Sequence, residues 1–73
     1  MTLKELGSLI QKRAYRRHLD AVQMGHTLGI STSSVHRMYQ GDFSCIPCEY
    51  ELYWSTLRNL IGIDVRDLYE NAE

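Results

Sequence analysis

The sequence predicts an all-α fold, a compact five-helix bundle forming a single domain over residues 1–73. Three observations carry this expectation. Apolar residues recur at helical spacing, and no stretch alternates with the period of two that marks a strand. Each periodic stretch is bounded by residues that start or stop helices well. Finally, 73 residues of which 44% are hydrophobic can fill one core but not two.

The first helix is announced by Thr2-Leu3-Lys4-Glu5, a capping box in which the Thr2 hydroxyl accepts from the Glu5 amide while Glu5 reaches back. Leu3, Leu6, Leu9, Ile10 and Tyr15 then fall near one face of a helix running to about Arg16. Arg17-His18 is a polar break. Asp20 caps a second, short helix, with Gln23 at the capping-box position and Gly29 as a left-handed stop. Ser31 or Thr32 caps a third helix, 32–40, closed by Gly41. After a loop from Asp42 to Ile46, Pro47 is expected as the first residue of the fourth helix, where its missing amide hydrogen has no partner to lose. Tyr50, Trp54, Leu57 and Ile61 recur along that helix beside Tyr53 and Leu60, and Gly62 ends it. Asp64 caps the fifth, whose inward face is Val65, Leu68 and Tyr69.

A net charge of −1 conceals an asymmetry. Residues 1–40 carry Lys4, Lys12, Arg13, Arg16, Arg17 and Arg37 against Glu5 and Asp20, a balance of +4. Residues 41–73 carry Arg58 and Arg66 against Asp42, Glu49, Glu51, Asp64, Asp67, Glu70 and Glu73, a balance of −5. A basic half attracts polyanions even when the whole chain is nearly neutral. No apolar run reaches the roughly 18 residues of a membrane span, and no basic-then-apolar signal segment opens the chain. A cytoplasmic protein with reduced thiols is therefore expected.

The segment most informative about function is Ala21 to Gly41, AVQMGHTLGISTSSVHRMYQG. It places two short helices about a tight turn at Gly29, with Val22, Met24, Gly25, Leu28, Ile30, Val35 and Met38 as its apolar or small positions. With Val35 and Met38 turned inward, the second of these helices exposes Thr32, Ser33, His36, Arg37 and Gln40. Hydroxyls, an imidazole, an amide and a guanidinium, with no carboxylate among them, suit base edges and phosphates in a major groove.

This pattern resembles the helix-turn-helix of Cro/repressor-type proteins, the lambda repressor-like fold of lambdoid phage repressors, over most of the chain. LGSLIQKRA is similar to that family's first helix, and LIGIDVRDLY to the end of its fourth and its fifth. The family's small-residue, glycine and two apolar positions fall on Gly25, Gly29, Val35 and Met38. The resemblance implies base-reading residues at Thr32, Ser33, Ser34 and Arg37. It implies phosphate contacts from Arg16, Arg17, Ala21, His36 and Gln40. At Ala21 the family often has a glutamine, so only the backbone amide serves there. Tyr39 replaces a glutamate that in the family pairs with a first-helix arginine, and the loop after the third helix carries no positive charge.

On this reading the chain is a sequence-specific transcriptional regulator, a repressor or autoregulator of phage or plasmid type, binding double-stranded DNA. One unit reads few base pairs, so a homodimer on a palindromic operator is expected. Tyr50, Tyr53, Trp54, Ile63 and Tyr69 supply more large apolar surface than a small core requires and are the expected interface, with ordinary core packing having an equal claim on Trp54 and Leu57. The competing reading is a protein-interaction module, an antirepressor or adaptor, favoured by the acidic second half. No enzyme motif is present: there is no phosphate-cradling glycine loop and no His-Glu metallohydrolase pattern. No cofactor, metal or small-molecule ligand is expected. Cys45-Ile46-Pro47-Cys48 lacks the sheet of a redox motif and the second pair of a zinc site. It is read as loop packing before the fourth helix, the alternative being a redox switch that strains the loop behind the third helix on oxidation.

Overall fold

The computed structural model describes residues 1–73 and contains five helices and no strand. These are α1 (Leu3–Arg16), α2 (Ala21–Leu28), α3 (Thr32–Tyr39), α4 (Glu51–Ile61) and α5 (Val65–Glu70). Four of the five starts are fixed by a side chain that bonds the otherwise unpaired amide three residues on. Thr2 and Glu5 form the reciprocal pair at α1 with both bonds at 3.0–3.1 Å. Asp20 and Gln23 form the equivalent pair at α2. Ser31, rather than Thr32, caps α3 by accepting from the Ser34 amide. Gly29 ends α2 with φ 74°, a conformation that only glycine adopts without steric cost.

Leu6, Ile10, Met24, Val35, Met38, Leu57, Ile61 and Val65 are fully buried, so every helix contributes to one core. α1 lies against α3, α4 and α5, and α2 lies against α3 and α4. The α1–α3 crossing is a backbone contact. A Cβ on Gly7 would stand 2.6 Å from the Tyr39 carbonyl oxygen and closer still to that of Met38. Gly25 plays a similar part between α2 and the turn, where a Cβ would lie 2.7 Å from the Ile30 carbonyl oxygen.

Three expectations are corrected. Pro47 does not open α4. It begins a turn in which the Tyr50 amide donates to the Pro47 carbonyl at 3.1 Å, and the helix starts at Glu51. The Cys48 carbonyl, which a helix from Pro47 would pair with a backbone amide, accepts instead from the Trp54 indole at 2.7 Å. Tyr15 is exposed, and Ala14 takes the inward position beside α1's last turn. Val22 is likewise exposed on α2.

The two halves of the chain are joined by specific contacts. Arg17 donates from Nη1 to the carbonyls of Asn59 and Leu60, at 3.3 and 3.1 Å, and so closes the C-terminus of α4. Within the second half, Tyr53, Trp54, Tyr69 and Phe43 form a chain of aromatic contacts with ring centroids 5.1–5.2 Å apart. No helix is long and apolar enough to cross a membrane.

Replacing Gly7 by Ala forces the two backbones apart and is expected to lower stability by roughly 1–3 kcal/mol, in the range of core overpacking. The exposed neighbour Ser8→Ala should leave stability within about 0.5 kcal/mol. Urea unfolding midpoints for the two variants check the difference.

Candidate nucleic-acid interface

α3 is amphipathic in a way that decides what its outer face offers. Val35, Met38 and Tyr39 are buried, which turns Thr32, Ser33, His36, Arg37 and Gln40 to solvent. The first-turn amides of α2 and α3 lack partners within their own helices, so at Ala21 and Thr32 a backbone N–H can meet an anion. Ala21 itself is half-buried. Arg16 is exposed at the end of α1.

Two of the expected DNA contacts are differently employed. Ser34 is half-buried, and its hydroxyl lies 2.9 Å from that of Ser31 in the α3 cap. Its place is in the start of the helix rather than on its outer face. Arg17 is directed to the end of α4, where its guanidinium spends two bonds on carbonyls. The corresponding sequence assignments, base reading for Ser34 and phosphate binding for Arg17, do not match these positions.

Arg37 has a partner that sequence reading missed. Its Nη1 donates to the Cys45 sulfur at 2.9 Å. That hydrogen bond, with the charges of Cys45 and then Asp42, raises the Arg37 pKa above the ordinary arginine value. Asp42 is held below the usual carboxylate range by bonds from the Ser44 hydroxyl and amide, with a smaller contribution from Arg37. The loop reaches Arg37 because the Asp42 amide donates to the Arg37 carbonyl at 2.8 Å and turns the chain back along α3. Cys48 points elsewhere, donating to the Phe43 carbonyl at 3.6 Å, and both cysteines are free thiols. No three His, Cys, Asp or Glu side chains gather closely enough to hold a metal ion.

Tyr39, on the inner side of α3, borders a cavity of about 140 Å³ between α1, the start of α2 and α3. It is 8% exposed, and its hydroxyl is buried without a hydrogen-bond partner. Burial, with smaller contributions from Tyr15 and Asp20, pushes its phenol up to about 12.

The expected dimer surface is also redistributed. Tyr53 and Trp54 are each 4% exposed and belong to the protomer's own core. They are therefore not available to a partner. Tyr53 donates from its hydroxyl to the Met38 sulfur at 2.9 Å, and burial raises its phenol pKa strongly. Tyr69 and Ile63 are half-buried against the same core. The large apolar side chains that remain outside on this half are Tyr50 at 65% and Leu52 at 77% exposure. They form the lip of a groove of about 380 Å³ between the end of α2 and the start of α4.

Compared with known proteins, the chain matches no family, no curated protein and no solved structure.

Removing the unpartnered hydroxyl with Tyr39→Phe should stabilise the fold by about 1 kcal/mol at neutral pH, since a buried polar group without a partner costs free energy. The pH dependence has a definite sign. The unfolded tyrosine ionises near about 10, the folded one at about 12. The stability tied to its neutral form is therefore whole below the first value and is lost as pH rises through the second. Wild type should lose stability more steeply across that window than Tyr39→Phe, which denaturation at a series of alkaline pH values would measure.

Proposed function

We propose that this chain is a sequence-specific DNA-binding transcriptional regulator of Cro/repressor type, with α2 and α3 acting as a helix-turn-helix and α3 entering the major groove. The observation that carries the reading is the outer face of α3. Thr32, Ser33, His36, Arg37 and Gln40 stand together on it without a carboxylate, on a helix whose other face is locked in the core. Arg37 is the residue for a bidentate contact to guanine O6 and N7. Thr32 and Ser33 offer hydroxyls to bases or backbone. His36 and Gln40, the Ala21 amide and Arg16 serve phosphates. Lys4, Lys12 and Arg13 add positive charge along α1, while the acidic half of the sequence favours the far side.

Two copies on a palindrome complete the reading. The protomer measures 28 × 23 × 21 Å, so copies side by side can set their α3 helices at the roughly 34 Å spacing of successive major grooves. The exposed pair Tyr50 and Leu52, next to the groove they border, is the apolar surface proposed for the second copy. A protein-interaction module is the second reading. The acidic second half of the sequence favours that alternative.

Selection from a random DNA library tests the proposal. Recovery of a palindromic consensus is expected, and recovery of no sequence preference at any salt concentration would exclude it in favour of the module. Arg37→Ala should lose about tenfold preference at one base pair of each half-site. Arg16→Gln should weaken all sequences alike and flatten the salt dependence by about one unit of slope. Leu52→Glu should shift the protein toward monomer in sedimentation and weaken operator binding while leaving its helical circular dichroism intact.

A further inference from the structure

Arg37 is the one arginine or lysine on α3, and the Cys45 sulfur stands 2.9 Å from its Nη1. The placement of that sulfur is built into the fold. Gly41 donates its amide to the Met38 carbonyl at 3.0 Å, and Asp42 donates to the Arg37 carbonyl at 2.8 Å, so the loop leaves α3 along a fixed path. Asp42 in turn accepts from the Ser44 amide at 3.0 Å. Phe43 and Ile46 are buried on either side of Cys45. Cys45 itself is exposed, with its sulfur facing the guanidinium.

A guanidinium carries its donors in a rigid planar fork. With Nη1 taken by sulfur, the edge formed by Nε and Nη2 is left with two parallel N–H donors. Two parallel donors are what the adjacent O6 and N7 acceptors of guanine require. A long arginine loses rotamer freedom when it docks, and a contact that already restricts it reduces that loss.

We infer that Cys45 is a positioning residue for Arg37: its sulfur holds Nη1 and presents the Nε–Nη2 edge to a single guanine. The inference rests on the DNA-binding reading above. It gives Cys45 a part in sequence discrimination and gives Cys48, whose thiol turns inward to Phe43, none.

The test compares Cys45→Ala, Cys45→Ser and Cys48→Ala with wild type on the selected operator and on operators substituted at each base pair. Cys45→Ala should lose about tenfold preference at the base pair that Arg37→Ala also affects, with random-DNA affinity and salt slope unchanged. Cys45→Ser, which keeps an acceptor, should retain the preference within about twofold, and Cys48→Ala should match wild type. Full preference in Cys45→Ala, or a loss spread evenly over all positions, would overturn the inference. A measurement without DNA separates it from the functional reading. The Arg37 Nε–Hε resonance should move in Cys45→Ala and stay in Cys48→Ala. An unmoved resonance sinks the Cys45 contact whatever the protein binds, whereas a wild type with no operator preference sinks the DNA reading and the discriminating role with it.

Discussion

The contact on which the rest of this structure depends is the one between Gly7 of α1 and the last carbonyls of α3. Because the Met38 and Tyr39 carbonyl oxygens sit where a Cβ on residue 7 would be, the two backbones touch without side chains between them. That closeness seats Val35 and Met38 fully in the core and sets the rotation of α3 about its axis. Once the rotation is set, the positions three and four residues apart on the opposite side have no choice but solvent. The outer face of Thr32, Ser33, His36, Arg37 and Gln40 is thus a consequence of packing on the inner one. The chain then leaves α3 through Gly41, where a Cβ would stand 2.7 Å from the Lys4 Cα, and the Asp42 amide, bonded to the Arg37 carbonyl, turns the loop back beside Arg37.

The second half is attached through polar contacts as well as apolar ones. Arg17 finishes α4 by bonding carbonyls that the end of a helix leaves unpaired. The Trp54 indole satisfies its one donor on the Cys48 carbonyl, and its ring joins Tyr53, Tyr69 and Phe43 in one aromatic cluster. Small domains bury a modest share of their surface, so a long-range tie such as that of Arg17 matters more than it would in a larger core. The Arg17 bonds also cross the divide between a basic first half and an acidic second half, which share one core rather than forming two modules.

Local pattern was enough for much of the fold. The caps at Thr2 and Asp20 depend on residues three apart, and the stops at Gly29 and Gly62 on a single residue's freedom, so both were legible in sequence. What escaped were contacts that no helical period or cap spacing brings together. Nothing near Pro47 reveals that Trp54 claims the carbonyl of Cys48. Arg17 reads as one more basic residue, although it reaches across 42 and 43 positions to α4. An apolar count could not divide aromatic residues between core and surface, and the division fell with Tyr53 and Trp54 inside and Tyr50 and Leu52 outside. The outer face of α3 was legible because helical period alone fixes it, except at Ser34, where the cap intervenes. Cys45 was invisible as a partner of Arg37, since the path of a loop is set by the hydrogen bonds at its root.

On the proposed reading, the charge layout separates affinity from discrimination. One cation on α3 cannot supply both, because phosphate contacts dominate affinity while base contacts carry sequence. The remaining positive charge of the first forty residues lies at Lys4, Lys12, Arg13 and Arg16, with Arg17 directed to α4. The acidic second half repels a polyanion, so the chain as a whole, with a net charge of −1, exerts little general attraction on one. That balance holds non-specific binding down, because little net charge remains to favour arbitrary sequence. Discrimination then rests on a few short side chains and one long one. In that arrangement the geometry of Arg37 counts for more than the number of charges around it.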